Sequence, residues 1–198
     1  MLKKHPSSEY WIESKLDKEM MNYLWSQIKL AKENDINHKD KLVGHLTKSL
    51  TLPDTEGKLN DCVTNMSRHL MYGIYNQHIE EGKLRLRDLW VNFQKKHDFN
   101  PVHNHSGAIS FVIWMKIPYK HADEVNTART KNIGGGDCLS GCFQFLFTSM
   151  LGEIKTDVYF LDPSYEATIL IFPCMFNHIV YPFYTSDEER ISISGNIY

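Results

Sequence analysis

Cysteine is scarce in this chain of 198 residues, where four thiols, Cys62, Cys138, Cys142 and Cys174, lie scattered. That is too sparse for a disulfide framework, so reduced thiols are expected. The pair in "GGGDCLSGCFQF" has a three-residue gap and no second cysteine pair, which makes a weak zinc pattern. An excess of positive charge is missing too. With 22 Lys and Arg against 24 Asp and Glu the formal charge is -2, so electrostatics suggest neither a nucleic acid nor an anionic membrane as partner. Long apolar runs are absent. No stretch approaches the roughly 20 residues of a membrane span, and "MLKKHPSSEYW" lacks the apolar block of a signal peptide. A soluble, cytoplasmic protein is expected.

What is present suits one globular core, since 42% of the residues are hydrophobic and 12% aromatic. The first eighty or so residues read as helical. Leu16, Met20, Leu24, Ile28 and Ala31 recur at steps of three and four, and so do Leu59, Val63, Met66, Leu70 and Ile74, with Gly82 as a stop signal. Between these stretches "LTKSLTLPDTEGK" reads as a connecting loop. From residue 84 the chain becomes a series of short aromatic and β-branched runs: "LRLRDLWVNFQ", "AISFVIWMKIP", "GCFQFLFTS", "VYFLD", "ATILIFP", "HIVYPF" and "RISISGNIY". These are strands, and their number and short connections favour an antiparallel barrel or sandwich. The one long break, "YKHADEVNTARTKNIGGGDCLS", is polar and glycine-rich, so a mobile loop or flap is expected there.

Three histidines stand out. His103 and His105, in "VHNH", are two residues apart, and side chains so spaced on an extended segment point the same way. Alone, such a pair more often makes ordinary hydrogen bonds at a strand end. A third histidine, His178, follows a buried run and a proline turn in "ILIFPCMFNHIVYP". Twelve residues later Arg190 opens "RISISGNI", where Arg190, Ser192, Ser194 and Asn196 share one face and Ile191, Ile193 and Ile197 the other. On an edge strand that polar face is merely solvated. Inside a barrel it offers a guanidinium fork and a hydroxyl to a carboxylate.

The order "LWVNF", "HNHSG", "IFPCMFNH", "RISISGN" resembles the core of the iron(II)- and 2-oxoglutarate-dependent oxygenases, most closely a small branch with W-x-N, H-x-H, FP....H and R-x-S elements. The resemblance covers roughly residues 84 to 198. It implies a double-stranded β-helix (a cupin-like jelly roll, mainly β) over 84–198, with 1–83 as a helical support region of the same domain. It also implies Fe(II) held by histidines of the set His103, His105 and His178, and the cosubstrate 2-oxoglutarate held by Arg190 and Ser192. Asn92, which shares a face with Trp90 and Gln94, is a further candidate to orient 2-oxoglutarate or substrate.

One position departs from the family pattern. The usual facial triad is two histidines and one carboxylate, and the slot of the acid, two residues after the first histidine, holds His105. Three outcomes are open: His105 is itself a ligand, or water fills the position, or a loop carboxylate such as Asp123, Glu124 or Asp137 completes the site. The resemblance implies oxidative decarboxylation of 2-oxoglutarate by O2, coupled to hydroxylation of a small molecule, amino acid or peptide, with release of succinate and CO2. The glycine-rich segment 132–136 is a candidate lid. Two rival readings are a cupin-type metalloprotein and a non-catalytic ligand-binding barrel. A cupin places a glutamate shortly after its His-x-His, which "SGAIS" lacks, and has no need of Arg190 and Ser192.

Overall fold

In the computed structural model, residues 2–4, 10–76, 78–80, 82–131, 137–149 and 151–198 are described. The amino-terminal part interleaves strands β1 (Leu2–Lys4), β2 (Tyr10–Lys15) and β3 (Lys48–Thr51) with helices α1 (Lys18–Asn34) and α2 (Lys58–Tyr75). Strands β4 (Leu86–Gln94), β5 (Asn100–His103) and β6 (Ile109–Lys116) follow, then a short helix α3 (His121–Val125). The rest is strand: β7 (Phe143–Thr148), β8 (Ile154–Tyr159), β9 (Thr168–Pro173), β10 (Asn177–Val180) and β11 (Arg190–Ile197). Two antiparallel sheets result, a larger one in the order β1-β2-β9-β6-β11-β4-β3 and a smaller one in the order β5-β10-β7-β8. This agrees with the double-stranded β-helix that the resemblance implies and with the antiparallel barrel or sandwich favoured by the strand pattern. No helix among the described residues is long and apolar enough to cross a membrane.

Period-two alternation gives the larger sheet two different faces. Val91, Phe93, Phe111, Ile113, Ile169, Ile171, Ile191 and Ile193 point one way and pack with Leu24, Ile28, Leu59, Val63 and Leu70 of the two long helices. Trp11, Val112, Trp114, Leu170 and Phe172 point the other way and meet Phe143, Phe145 and Tyr159 of the smaller sheet. Gly195 on β11 is required by close approach: a Cβ there would lie 2.6 Å from the Asp88 carbonyl oxygen and 2.8 Å from the Phe111 ring.

The long helices form where the apolar stripes predict them. Asp17 caps α1 by accepting from the N–H of Met20 at 2.8 Å, and Tyr23, Leu24, Ile28 and Ala31 are buried along one side. Full burial of Leu24, Ile28, Leu59 or Leu70 each contributes about 1.5–3 kcal/mol. Helix α2 ends earlier than Gly82 suggests. Asn76, in the left-handed conformation at φ 51, caps it by donating to the Tyr72 carbonyl.

Three expectations need correction. The region before residue 84 is not only helical, because β1, β2 and β3 extend the larger sheet on both sides. β3 falls inside the stretch read as a loop; "KSLT" is too short to show a strand period, and its pairing with β4 through Ser49↔Asn92 and Leu50↔Val91 is what holds it extended. The break after residue 118 is also no open flap over its described part. Tyr119, Glu124, Thr130, Cys138 and Ser140 are buried there. The Glu124 carboxylate, wholly buried, accepts from the N–H groups of Tyr184 and Thr185 and from the hydroxyls of Thr185 and Ser140, so polar residues form the packing. The candidate lid 132–136 lies outside the described residues.

Candidate active site

Strands β5 and β10 pair antiparallel with His103 directly opposite His178. Their ring centroids are 4.2 Å apart. His105 lies just past the end of β5, where its backbone N–H donates to the Cys174 carbonyl at 2.9 Å. Its ring stands 5.1 Å from each of the other two. One ring nitrogen of each histidine lies within 4.8 Å of the others. Among the described residues no other set of three His, Cys, Asp or Glu groups converges in this way.

Hydrogen bonds fix which nitrogens are available. His103 Nδ1 lies 2.7 Å from the Pro101 carbonyl oxygen and His178 Nδ1 lies 3.0 Å from that of Phe176. A carbonyl only accepts, so Nδ1 carries the proton in both rings, and each neutral ring keeps its lone pair on Nε2. Burial keeps the rings neutral: it lowers the His103 pKa, lowers His105 to about 4 with help from His103, and holds His178 well below its ordinary value. Three unprotonated imidazoles facing one point are suited to a borderline divalent metal such as iron(II).

The histidines open onto a cavity of about 100 Å³ between the sheets, lined also by Asn92, Gln94, Trp114, Arg190 and Ser192. Register explains the grouping. Across β4 and β11, Arg190 faces Gln94 and Ser192 faces Asn92, and on the other side of β11 Ser192 faces Trp114. Arg190 is 2% exposed. Its Nη2 donates to Gln94 Oε1 at 2.7 Å and to the Tyr181 carbonyl at 3.2 Å, its Nε to Gln94 Oε1 at 3.2 Å, and its Nη1 to the Gly141 carbonyl at 3.0 Å and to the Tyr119 hydroxyl. The fork expected to stand open is therefore occupied, and by neutral acceptors alone. A buried cation with no carboxylate partner is costly unless an anion completes it. Asn92 lines the cavity and accepts from the Ser49 hydroxyl through Oδ1 at 2.9 Å, and its amide protons have no acceptor among the described residues.

The structure thus brings His103, His105, His178, Arg190, Ser192 and Asn92 to one cavity. It does not bring the loop acids there. Glu124 is committed to Tyr184 and Thr185, while Asp123 and Asp137 are exposed and outside the histidine cluster. The cysteine pair is likewise apart from it: Cys142 Sγ lies 3.6 Å from His121 Nδ1. Sequence reasoning missed the partners of Arg190. Parity places Gln94 on the right face, but nothing local marks Tyr119 or Gly141, which arrive from a segment read as a flap.

A family model described as "Putative 2OG-Fe(II) oxygenase" matches residues 88–196, more than half of the chain. The chain belongs to the 2OG-Fe(II) oxygenase family. Its fold agrees with solved structures of low identity. A Pseudomonas putida prolyl-4-hydroxylase superposes with a TM-score of 0.54 at 12% identity, over 93% of this chain and 90% of that one. The non-heme alpha ketoglutarate dependent carbocyclase SnoK from nogalamycin biosynthesis gives 0.58 at 9% identity, over 96% and 79%. No curated protein matches by sequence.

Membership makes Fe(II) and 2-oxoglutarate the cofactor and cosubstrate of this oxygenase. The residues present fit both. Three neutral imidazoles suit the metal, and an anion-free guanidinium in the same cavity suits the dicarboxylate.

Proposed function

We propose that this oxygenase hydroxylates a C–H bond of a small substrate, with His103, His105 and His178 holding iron(II) and Arg190, Ser192 and Asn92 holding 2-oxoglutarate. One oxygen atom of O2 enters the product as hydroxyl and the other enters succinate, with CO2 as the third product. Iron(II), when bound, supplies the centre at which dioxygen is reduced. The observation that carries the reading is the sharing of one cavity by three unprotonated imidazoles and a buried, acid-free guanidinium.

Each residue has a physical task. Pro101 and Phe176 carbonyls hold the Nδ1 protons, so His103 and His178 present Nε2 without a tautomer change. His105 stands in the slot of the family acid, which makes the ligand set neutral and leaves the full charge of the metal for the cosubstrate dianion to offset. Arg190 grips the distal carboxylate through its Nε–Nη2 edge once the Gln94 amide oxygen yields it, Ser192 donates its hydroxyl, and Asn92 donates the amide protons that Ser49 leaves free. Trp114, Phe143 and Phe172 line the same cavity and exclude water from it.

Succinate and CO2 release from 2-oxoglutarate by iron-loaded protein, measured with and without His178→Ala, tests the reading. Turnover in the wild type and none in the variant is expected; equal turnover overturns it.

A further inference from the structure

Beside His105 lies a second recess, of about 230 Å³, lined like the first by Trp90. The two cavities share Lys41, Leu42, Trp90, Asn104 and His105, so the second adjoins the histidine cavity at His105. Asp88 lies in its wall, half-buried. Asn196 Nδ2 and the Tyr198 hydroxyl donate to Asp88 Oδ2 at 3.4 and 3.2 Å, and Oδ1 has no donor among the described residues. No Lys, Arg or His among them lies within ion-pairing distance of Asp88. Lys41, which is exposed, also lines the recess and has no carboxylate partner among the described residues. The rest of the lining is mixed, with Leu42, Asn104, Ser106 and Asn196 beside the buried His38 and Trp90 rings, which stack with centroids 5.0 Å apart.

We infer that this recess is the substrate site and that it selects a small zwitterion of the free amino-acid type, ammonium to Asp88 and carboxylate to Lys41. The inference rests on the oxygenase reading above and adds the substrate class to it. A half-buried carboxylate with one oxygen unpartnered is best completed by a cationic donor. Two opposite charges in one recess favour a ligand that carries both complementary groups, and one lacking the ammonium leaves half-buried Asp88 unmatched. A peptide, whose internal residues carry neither free terminus, satisfies neither charge.

The test needs no turnover. Protein loaded with zinc(II), which does not reduce oxygen, is saturated with 2-oxoglutarate. It is then titrated in turn with the twenty proteinogenic L-amino acids, and with the N-acetyl and carboxamide forms of any that bind. Saturation-transfer NMR and calorimetry give the readout. At least one free amino acid is expected to bind. Blocking either end, or Asp88→Asn in a variant shown by thermal melt to be folded, is expected to weaken it tenfold or more. If no amino acid binds, or if the N-acetyl form binds as well as the free one, the inference is overturned. The same titrations report zinc and 2-oxoglutarate binding separately. Amino-acid binding without them would contradict the oxygenase reading and leave the recess assignment standing; their binding without any amino acid would do the reverse.

Discussion

Gln94 and Arg190 face each other on paired strands, and the single amide oxygen of Gln94 accepts from both Nε and Nη2 of the guanidinium, at 3.2 and 2.7 Å. Gln94 occupies with a neutral dipole the edge of the fork that a carboxylate would take. Gln94→Glu places a fixed negative charge there and satisfies Arg190 internally. Affinity for 2-oxoglutarate should fall at least tenfold, about 1.4 kcal/mol, by calorimetry on metal-loaded protein. Unchanged affinity would mean that the cosubstrate does not use this edge of Arg190.

Arg190→Ala removes the donor to two carbonyls, an amide and a hydroxyl, all in a buried region. The variant should melt lower, since each buried acceptor left unpaired costs about 1–3 kcal/mol. In the folded fraction 2-oxoglutarate should bind weaker by about 2–5 kcal/mol, while metal binding stays near wild type. Arg190→Lys should recover only part, because an ammonium has no planar fork.

His105 decides the ligand set. His105→Asp restores the family's usual acid and should retain iron(II), since a carboxylate in that slot is a good ligand. His105→Ala should bind iron(II) at least tenfold more weakly. An alanine variant that binds iron and consumes 2-oxoglutarate like wild type would take His105 out of the coordination sphere.

The buried imidazoles also set a pH dependence for the metal-free protein. His105 titrates near 6.5 when unfolded and at about 4 when folded, and His103 and His178 are lowered in the same direction. The unfolded chain thus binds protons first as pH falls. The stability these groups contribute is complete above pH 6.5 and is lost progressively as pH drops toward 4. Thermal melts from pH 7.5 to 4.5 should show a falling Tm, and the fall should be shallower in His105→Ala. A slope unaffected by that substitution would contradict the assigned burial.

Much of this was legible in the sequence, for reasons that differ by residue. Strands β4, β6, β9 and β11 were readable because Val, Ile and Phe alternate with polar residues or run together in stretches too short for helices. Strand parity put His103 with His105 and Arg190 with Ser192 on shared faces, and it was the order of motifs resembling the oxygenases that singled out His103, His105, His178 and Arg190 together. Register was not: that His103 opposes His178 depends on pairing between segments over seventy residues apart. β3 was hidden because four residues carry no period, and the burial of Glu124 was hidden because its partners, Tyr184 and Thr185, lie sixty residues downstream. Asp88 was unremarkable in sequence; only the recess beside His105 gives its unpaired oxygen a meaning.

The most direct test is anaerobic calorimetric titration of iron(II) into wild-type protein, His103→Ala and His178→Ala, followed by 2-oxoglutarate. One iron(II) per chain in the wild type, 2-oxoglutarate binding that depends on the metal, and loss of iron binding in both variants are predicted. Wild-type iron affinity in either variant would remove that histidine from the metal centre and contradict the account.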